Sequence, residues 1–155
     1  MPSTLFYEPP NIGEDKIYVP PRGASEGPLQ TLIPVFVDVE TYMNKARGIS
    51  LESMTLRQYV LASYLTAMAV AIGEDSPIYI KTTKGKLDDA GEAVVELLTE
   101  LAQDDKYVFV AHNAAFDIRI LRFMLGIPQP RHVWCTVEGA MGAWPEYPGG
   151  FGLMN

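Results

Sequence analysis

The feature that most restricts the fold of this chain is residues 33–40. Ile33, Val35, Phe36, Val37 and Val39 are β-branched or aromatic and nearly continuous, and the run ends in two acids, Asp38 and Glu40. A strand with one wet face alternates apolar and polar residues, so an almost unbroken run predicts a strand buried on both faces, as in layered α/β folds. Further elements fit that class. Leu65–Ile72 and residues 78–82 read as two more strands joined across Gly73, Glu74, Asp75, Ser76 and Pro77, which suggests a hairpin. Residues 87–103 place apolar side chains at 87, 90, 94, 97, 98 and 101, a helical period, with Asp88 and Asp89 at the positive N-terminal end. Residues 51–61 read as a short helix with Thr55 as N-cap. Tyr107–Ala111 is another apolar strand, Asn113 can cap a helix running to Leu125 before Gly126 and Pro128, and residues 132–137 suggest a last strand. A meander of strands followed by strands alternating with helices predicts a mixed β-sheet covered by helices.

At 155 residues the chain is long enough to bury about two-thirds of its unfolded surface, so one domain can fold without disulfides or metal. Residues 1–30 hold Pro9, Pro10, Pro20, Pro21 and Pro28 with no apolar period and read as an extended arm, leaving 31–155 as the domain. The formal charge of −7 argues against broad, charge-driven binding to duplex nucleic acid. It is compatible with a metal-dependent nuclease, whose site needs carboxylates and whose cations bring the positive charge. A single cysteine, Cys135, precludes an internal disulfide. No apolar stretch approaches a membrane span, and Met1, Pro2, Ser3 and Thr4 do not open a secretory signal, so the expectation is a cytoplasmic protein without a membrane partner.

Asp38 and Glu40 are two apart on a strand and leave the same face. Two neighbouring carboxylates repel when ionised, a conflict that a divalent cation removes. The same sequence logic recurs in Ala111, His112, Asn113, Ala114, Ala115, Phe116 and Asp117, where a strand runs straight into a helix with Asn113 and Asp117 four apart on one side. Taken singly, Asn113 reads equally as a cap, Asp117 as an acid complementing the helix dipole and His112 as a strand-end histidine. Together they form a second acid-bearing strand end.

Val35, Phe36, Val37, Asp38, Val39, Glu40 and Thr41 resemble the first motif of the DnaQ-like (DEDD) 3′-5′ exonucleases, and His112 to Asp117 resemble the second. Ser50, Leu51, Met54, Thr55, Tyr59 and Val60, together with Cys135 to Ala140 and Pro148 to Leu153, are similar to the proofreading domain of phage-type family A DNA polymerases. The resemblance implies a ribonuclease H-like fold and removal of 3′-terminal nucleotides from single-stranded or frayed DNA. It implies two Mg²⁺ or Mn²⁺ ions about 3.5 to 4 Å apart. Asp38 would bridge both, Glu40 would bind the ion carrying the nucleophilic water, Asp117 would hold the second, and Thr41 and Asn113 would touch the terminal nucleotide. The partner implied is a DNA polymerase domain in the same chain or another.

The third motif of that family, Tyr-x-x-x-Asp or His-x-x-x-x-Asp, has no counterpart here. Asp117 is the last aspartate, and only the acids Glu138 and Glu146 follow. The expectation is therefore a domain lacking its C-terminal part, with weak or no hydrolysis, and with an exposed sheet surface through which copies associate. Its rival is a non-catalytic module that binds DNA ends or a polymerase. Lys81, Lys84 and Lys86 with Arg47 and Arg57 are candidates for a single-strand track, or a solvated loop. Trp144 and Tyr147 are candidates for base stacking, and Cys135 reads as a small core residue.

Overall fold

A computed structural model describes residues 17–18 and 31–143. The long strand is β2, Thr31–Thr41. It pairs antiparallel with β3, Leu65–Ile72, which pairs antiparallel with β4, Ile78–Lys81. On its other side β2 runs parallel to β5, Tyr107–Ala111, and β5 runs parallel to β6, Val133–Cys135. The short β1, Ile17–Tyr18, pairs with Thr31 and Leu32 at the start of β2; the rest of the Pro-rich arm, Trp144 and Tyr147, and the resemblance at Pro148 to Leu153 lie outside the described residues. The sheet order β4-β3-β2-β5-β6, a meander on one side and parallel strands on the other, with flanking helices, is a ribonuclease H-like mixed α/β fold. Among the described residues no helix is long and apolar enough to cross a membrane.

The helices are α1, Leu56–Ala62; α2, Asp89–Ala102; α3, Ala114–Leu125; and α4, Thr136–Ala143. Asp88 caps α2 by accepting from the Gly91 N–H at 2.8 Å. The core joins Val94, Leu98 and Leu101 of α2 and Ile118, Ile120 and Leu121 of α3 to Val35, Val37 and Val39 of β2 and Phe109 of β5. Helix α3 stops at Gly126 in the left-handed conformation (φ 70°), where the Gly126 N–H reaches Arg122 O and the Ile127 N–H reaches Leu121 O.

Three expectations are corrected. Helix α1 begins at Leu56 rather than Leu51, because Ser50 and Ser53 spend their hydroxyls on each other and on Gly48 O, holding 50–53 in a turn. The helix then starts from a capping box in which Thr55 and Gln58 satisfy each other's backbone N–H. The last strand ends at Cys135, and Thr136 begins α4. Its partner β5 finishes at Ala111, while the Val137 N–H turns to His112 O at 3.2 Å. Finally, β2 is not buried on both faces along its length: Val35, Val37 and Val39 face the helices, whereas Phe36 is 41% exposed and Asp38 and Glu40 are exposed. Helices cover one face along Val35, Val37 and Val39, while Ile33 near the start of β2 stays 39% exposed. The other carries only the small cluster of Leu32, Val108 and Val110 with Trp134 against it.

Candidate active site

The open part of the sheet is shaped by side-chain size. Across the β2–β3 ladder Phe36 faces Ala71, Asp38 faces Ala69 and Glu40 faces Ala67, and directly opposed residues share a face. The methyl-sized Ala69 and Ala71 leave a hollow beside Asp38, which Glu40, Ala67 and Asp117 do not line. A cavity of about 250 Å³ opens there, lined by Phe36, Asp38, Ala69, Ala71, His112 and Thr136 among others.

Asp117 approaches from α3. It lies in the first turn of that helix, is 5% exposed, and its Oδ1 accepts from the N–H of Val39, the residue between Asp38 and Glu40, at 3.4 Å. Beyond the end of β5 that N–H faces the helix start. Burial raises the Asp117 pKa from 3.8 to about 6; the Val39 hydrogen bond opposes the rise and the neighbouring Asp38 charge adds to it. Among the described residues no lysine or arginine forms an ion pair with Asp38, Glu40 or Asp117. Nor do three His, Cys, Asp or Glu side chains there stand in a ready metal-holding arrangement. The donor set is nevertheless of the kind a hard divalent cation takes, all carboxylate oxygen. Asp38 and Glu40 are exposed and form no ion pair among the described residues.

Thr41 closes β2 beside a register shift between Glu40 and Thr41. Its hydroxyl meets the hydroxyl of Tyr59 at 2.7 Å, and Tyr59, buried at 2% exposure, donates to Tyr42 O at 3.1 Å. With its one proton so used, Tyr59 accepts from Thr41, whose own oxygen keeps its acceptor capacity. Asn113 occupies the N-cap position of α3, but its side chain makes no cap bond; only its carbonyl serves the helix, through Phe116 N and Asp117 N. Its amide is exposed. Phe116 packs against the core and near Tyr59, ring centroids 6.5 Å apart. Glu138 is exposed in the first turn of α4 and does not line the cavity.

Sequence reasoning gave no role to the hydroxyl of Tyr59 or to the contact between His112 Nδ1 and Thr136 Oγ1 at 2.9 Å. That contact and the bond from Cys135 Sγ to His112 O fasten the end of β5 to the start of α4. Nothing in the sequence spacing marks such a pairing between residues 24 apart.

No family model and no curated protein matches the chain. Solved structures do. Brucella melitensis NrnC is 22% identical, with a TM-score of 0.52 over 77% of this chain and 48% of that one. A structure of the same protein with bound Mg²⁺ is 23% identical (TM-score 0.51, 77% and 49% covered), and one bound to pGG is 22% identical (TM-score 0.51, 77% and 48% covered). The chain thus spans about half the length of the solved structures it matches. The likeness is one of fold, the ribonuclease H-like α/β fold.

Proposed function

We propose that the chain carries a divalent-metal-dependent 3′-5′ exonuclease site built on Asp38, Glu40 and Asp117. The observation that supports it is the buried Asp117 carboxylate set against the backbone between Asp38 and Glu40, with no lysine or arginine ion-paired to the three among the described residues. A buried carboxylate is costly to ionise without a compensating cation, and of the three acids Asp117 is the one so placed. The neighbours of this fold with Mg²⁺ and with pGG favour the same ligand classes here.

Mg²⁺ or Mn²⁺, two ions in all, would supply a nucleophilic water and charge stabilisation at the scissile phosphate. Asp38 and Glu40 would bind from the open face of β2, and Asp117 from the α3 side. The Val39 N–H and the burial of Asp117 would orient its carboxylate before metal arrives, which limits the reorganisation needed on binding. Thr41 would offer its hydroxyl oxygen and Asn113 its amide to the terminal nucleotide. The likeness of the motifs to phage-type family A polymerases favours DNA as substrate and a polymerase domain as partner. A second reading, a non-catalytic module that binds DNA ends, is favoured by the absence of a ready three-ligand arrangement among the described residues.

A 5′-labelled single-stranded deoxyoligonucleotide incubated with Mg²⁺ or Mn²⁺ separates them. The nuclease reading predicts slow, chelator-sensitive shortening from the 3′ end, lost by a factor on the order of 100 or more in Asp38→Asn. Binding without shortening in either metal favours the non-catalytic module. A ribo-oligonucleotide in parallel reports whether the 2′-hydroxyl matters.

A further inference from the structure

Next to Glu40 and Thr41 the chain builds an aromatic pair that the acid cluster does not use. The rings of Tyr42 and Tyr64 stack with centroids 4.8 Å apart and planes 7° from parallel. Their backbones are tied by the Tyr42 N–H to Tyr64 O bond at 2.8 Å. The Tyr42 carbonyl accepts from both Tyr59 Oη and Ser63 Oγ, and Asn44 Nδ2 donates to the Tyr42 hydroxyl at 2.9 Å. Tyr42 is fixed at both ends, yet its ring and that of Tyr64 are only half-buried, unlike the buried Tyr59 beside them.

A turn following β4 lies against Tyr64. Its Gly85 backbone comes so near that a Cβ there would be 3.0 Å from the Tyr64 Cβ, and the Gly85 N–H is held by Thr82 Oγ1 at 3.0 Å. On the same turn Lys84 adopts φ +51°, the one non-glycine residue with positive φ among those described. Such a conformation disfavours lysine and marks a place to look for function. Lys81, Lys84 and Lys86 are all exposed, and none forms an ion pair among the described residues. The lysines stand beside an aromatic stack one residue beyond Thr41, with Asp88 and Asp89 following them in the sequence.

We infer that the Tyr42–Tyr64 stack and the Lys84–Lys86 turn form the track for a single nucleic-acid strand, a base extending the tyrosine stack while adjoining phosphates meet Lys84 and Lys86. Stacking accepts every base, and lysine contacts phosphate without reading sequence, so the track binds single strands with little sequence preference. The inference rests on the nuclease reading only for where the strand leads.

The test is fluorescence anisotropy of the whole chain with a 5′-fluorescein-labelled deoxyadenosine decamer at low salt in EDTA, where hydrolysis plays no part. Tyr42→Leu is expected to weaken binding roughly 5- to 150-fold, the range for losing one stacked base. Tyr42→Phe, which keeps the ring, stays within about 2-fold of wild type, and an abasic decamer binds Tyr42→Leu and wild type alike, as a stacking role demands. Lys84→Ala with Lys86→Ala, two exposed positions, flattens the slope of log affinity against log salt by about 1.4, near 0.7 for each lost phosphate contact. An equal loss on abasic and normal decamers would assign Tyr42 a purely structural role and overturn the stacking; an unchanged salt slope would overturn the lysine track. Hydrolysis in Mg²⁺ with variants that bind like wild type would keep the nuclease reading and reject the track; the expected binding pattern without hydrolysis would do the reverse.

Discussion

Asp117 carries the highest electrostatic tension among the described residues. Its carboxyl titrates near 3.8 in an unfolded chain and is pushed up to about 6 in the fold, chiefly by burial and further by Asp38. Between these values the folded state holds more protons than the unfolded one, so this contribution to stability is fully present below about pH 4 and is lost as pH rises to about 6. Above that the ionised, buried group destabilises the metal-free protein by an amount on the order of 3 kcal/mol. Asp117→Asn keeps an oxygen for the Val39 N–H and removes the charge. We expect its metal-free urea midpoint to exceed that of wild type at pH 8 and to match it near pH 4. A wild type at least as stable as the variant at pH 8 would contradict the strained-carboxylate account. Mg²⁺ at pH 8 should raise the wild-type melting temperature and leave Asp117→Asn nearly unmoved, since a ligand that binds only the folded state stabilises by mass action.

At the level of elements, stability divides between caps and core. Asp88→Ala removes the cap of α2 and should cost about 1 kcal/mol, whereas Leu98→Ala, at a position with no exposure, should cost about 2–5 kcal/mol; thermal melts at fixed pH read both. A Leu98→Ala variant no less stable than Asp88→Ala would mean that α2 does not pack as described. Elements whose pattern is periodic and whose ends carry punctuation were legible in the sequence. The strand Tyr107–Ala111 and the helix stop at Gly126 fall where the residues say, and Thr55 caps as expected even though its helix starts later than the apolar residues suggest. The start of α4 was not legible, because it depends on β5 running out of residues at Ala111 and on His112 taking both the Thr136 hydroxyl and the Val137 N–H. Both are long-range facts. The open face of β2 was misread for a related reason: Phe36 looks like a core residue, and only its place opposite Ala71 at the uncovered side of the sheet leaves it exposed.

For the molecule as a whole, the fold is a one-sided scaffold. Helices α2 and α3 bury one face of the sheet, and the other presents Asp38 above a row of alanines where β2 meets the start of α3. The two acid-bearing motifs were legible as a pair because each sits at the end of an apolar strand; the burial of Asp117 was not, since it follows from the angle at which α3 leaves β5. The central claim is that Asp38, Glu40 and Asp117 bind divalent ions jointly, and titration with Mn²⁺ followed by the electron paramagnetic resonance signal of the free ion tests it most directly. The account predicts saturable binding at pH 8 that falls at least about 10-fold in Asp38→Asn and in Asp117→Asn alike, because ligands that share an ion act as a unit. Mn²⁺ binding unchanged by either substitution would contradict it.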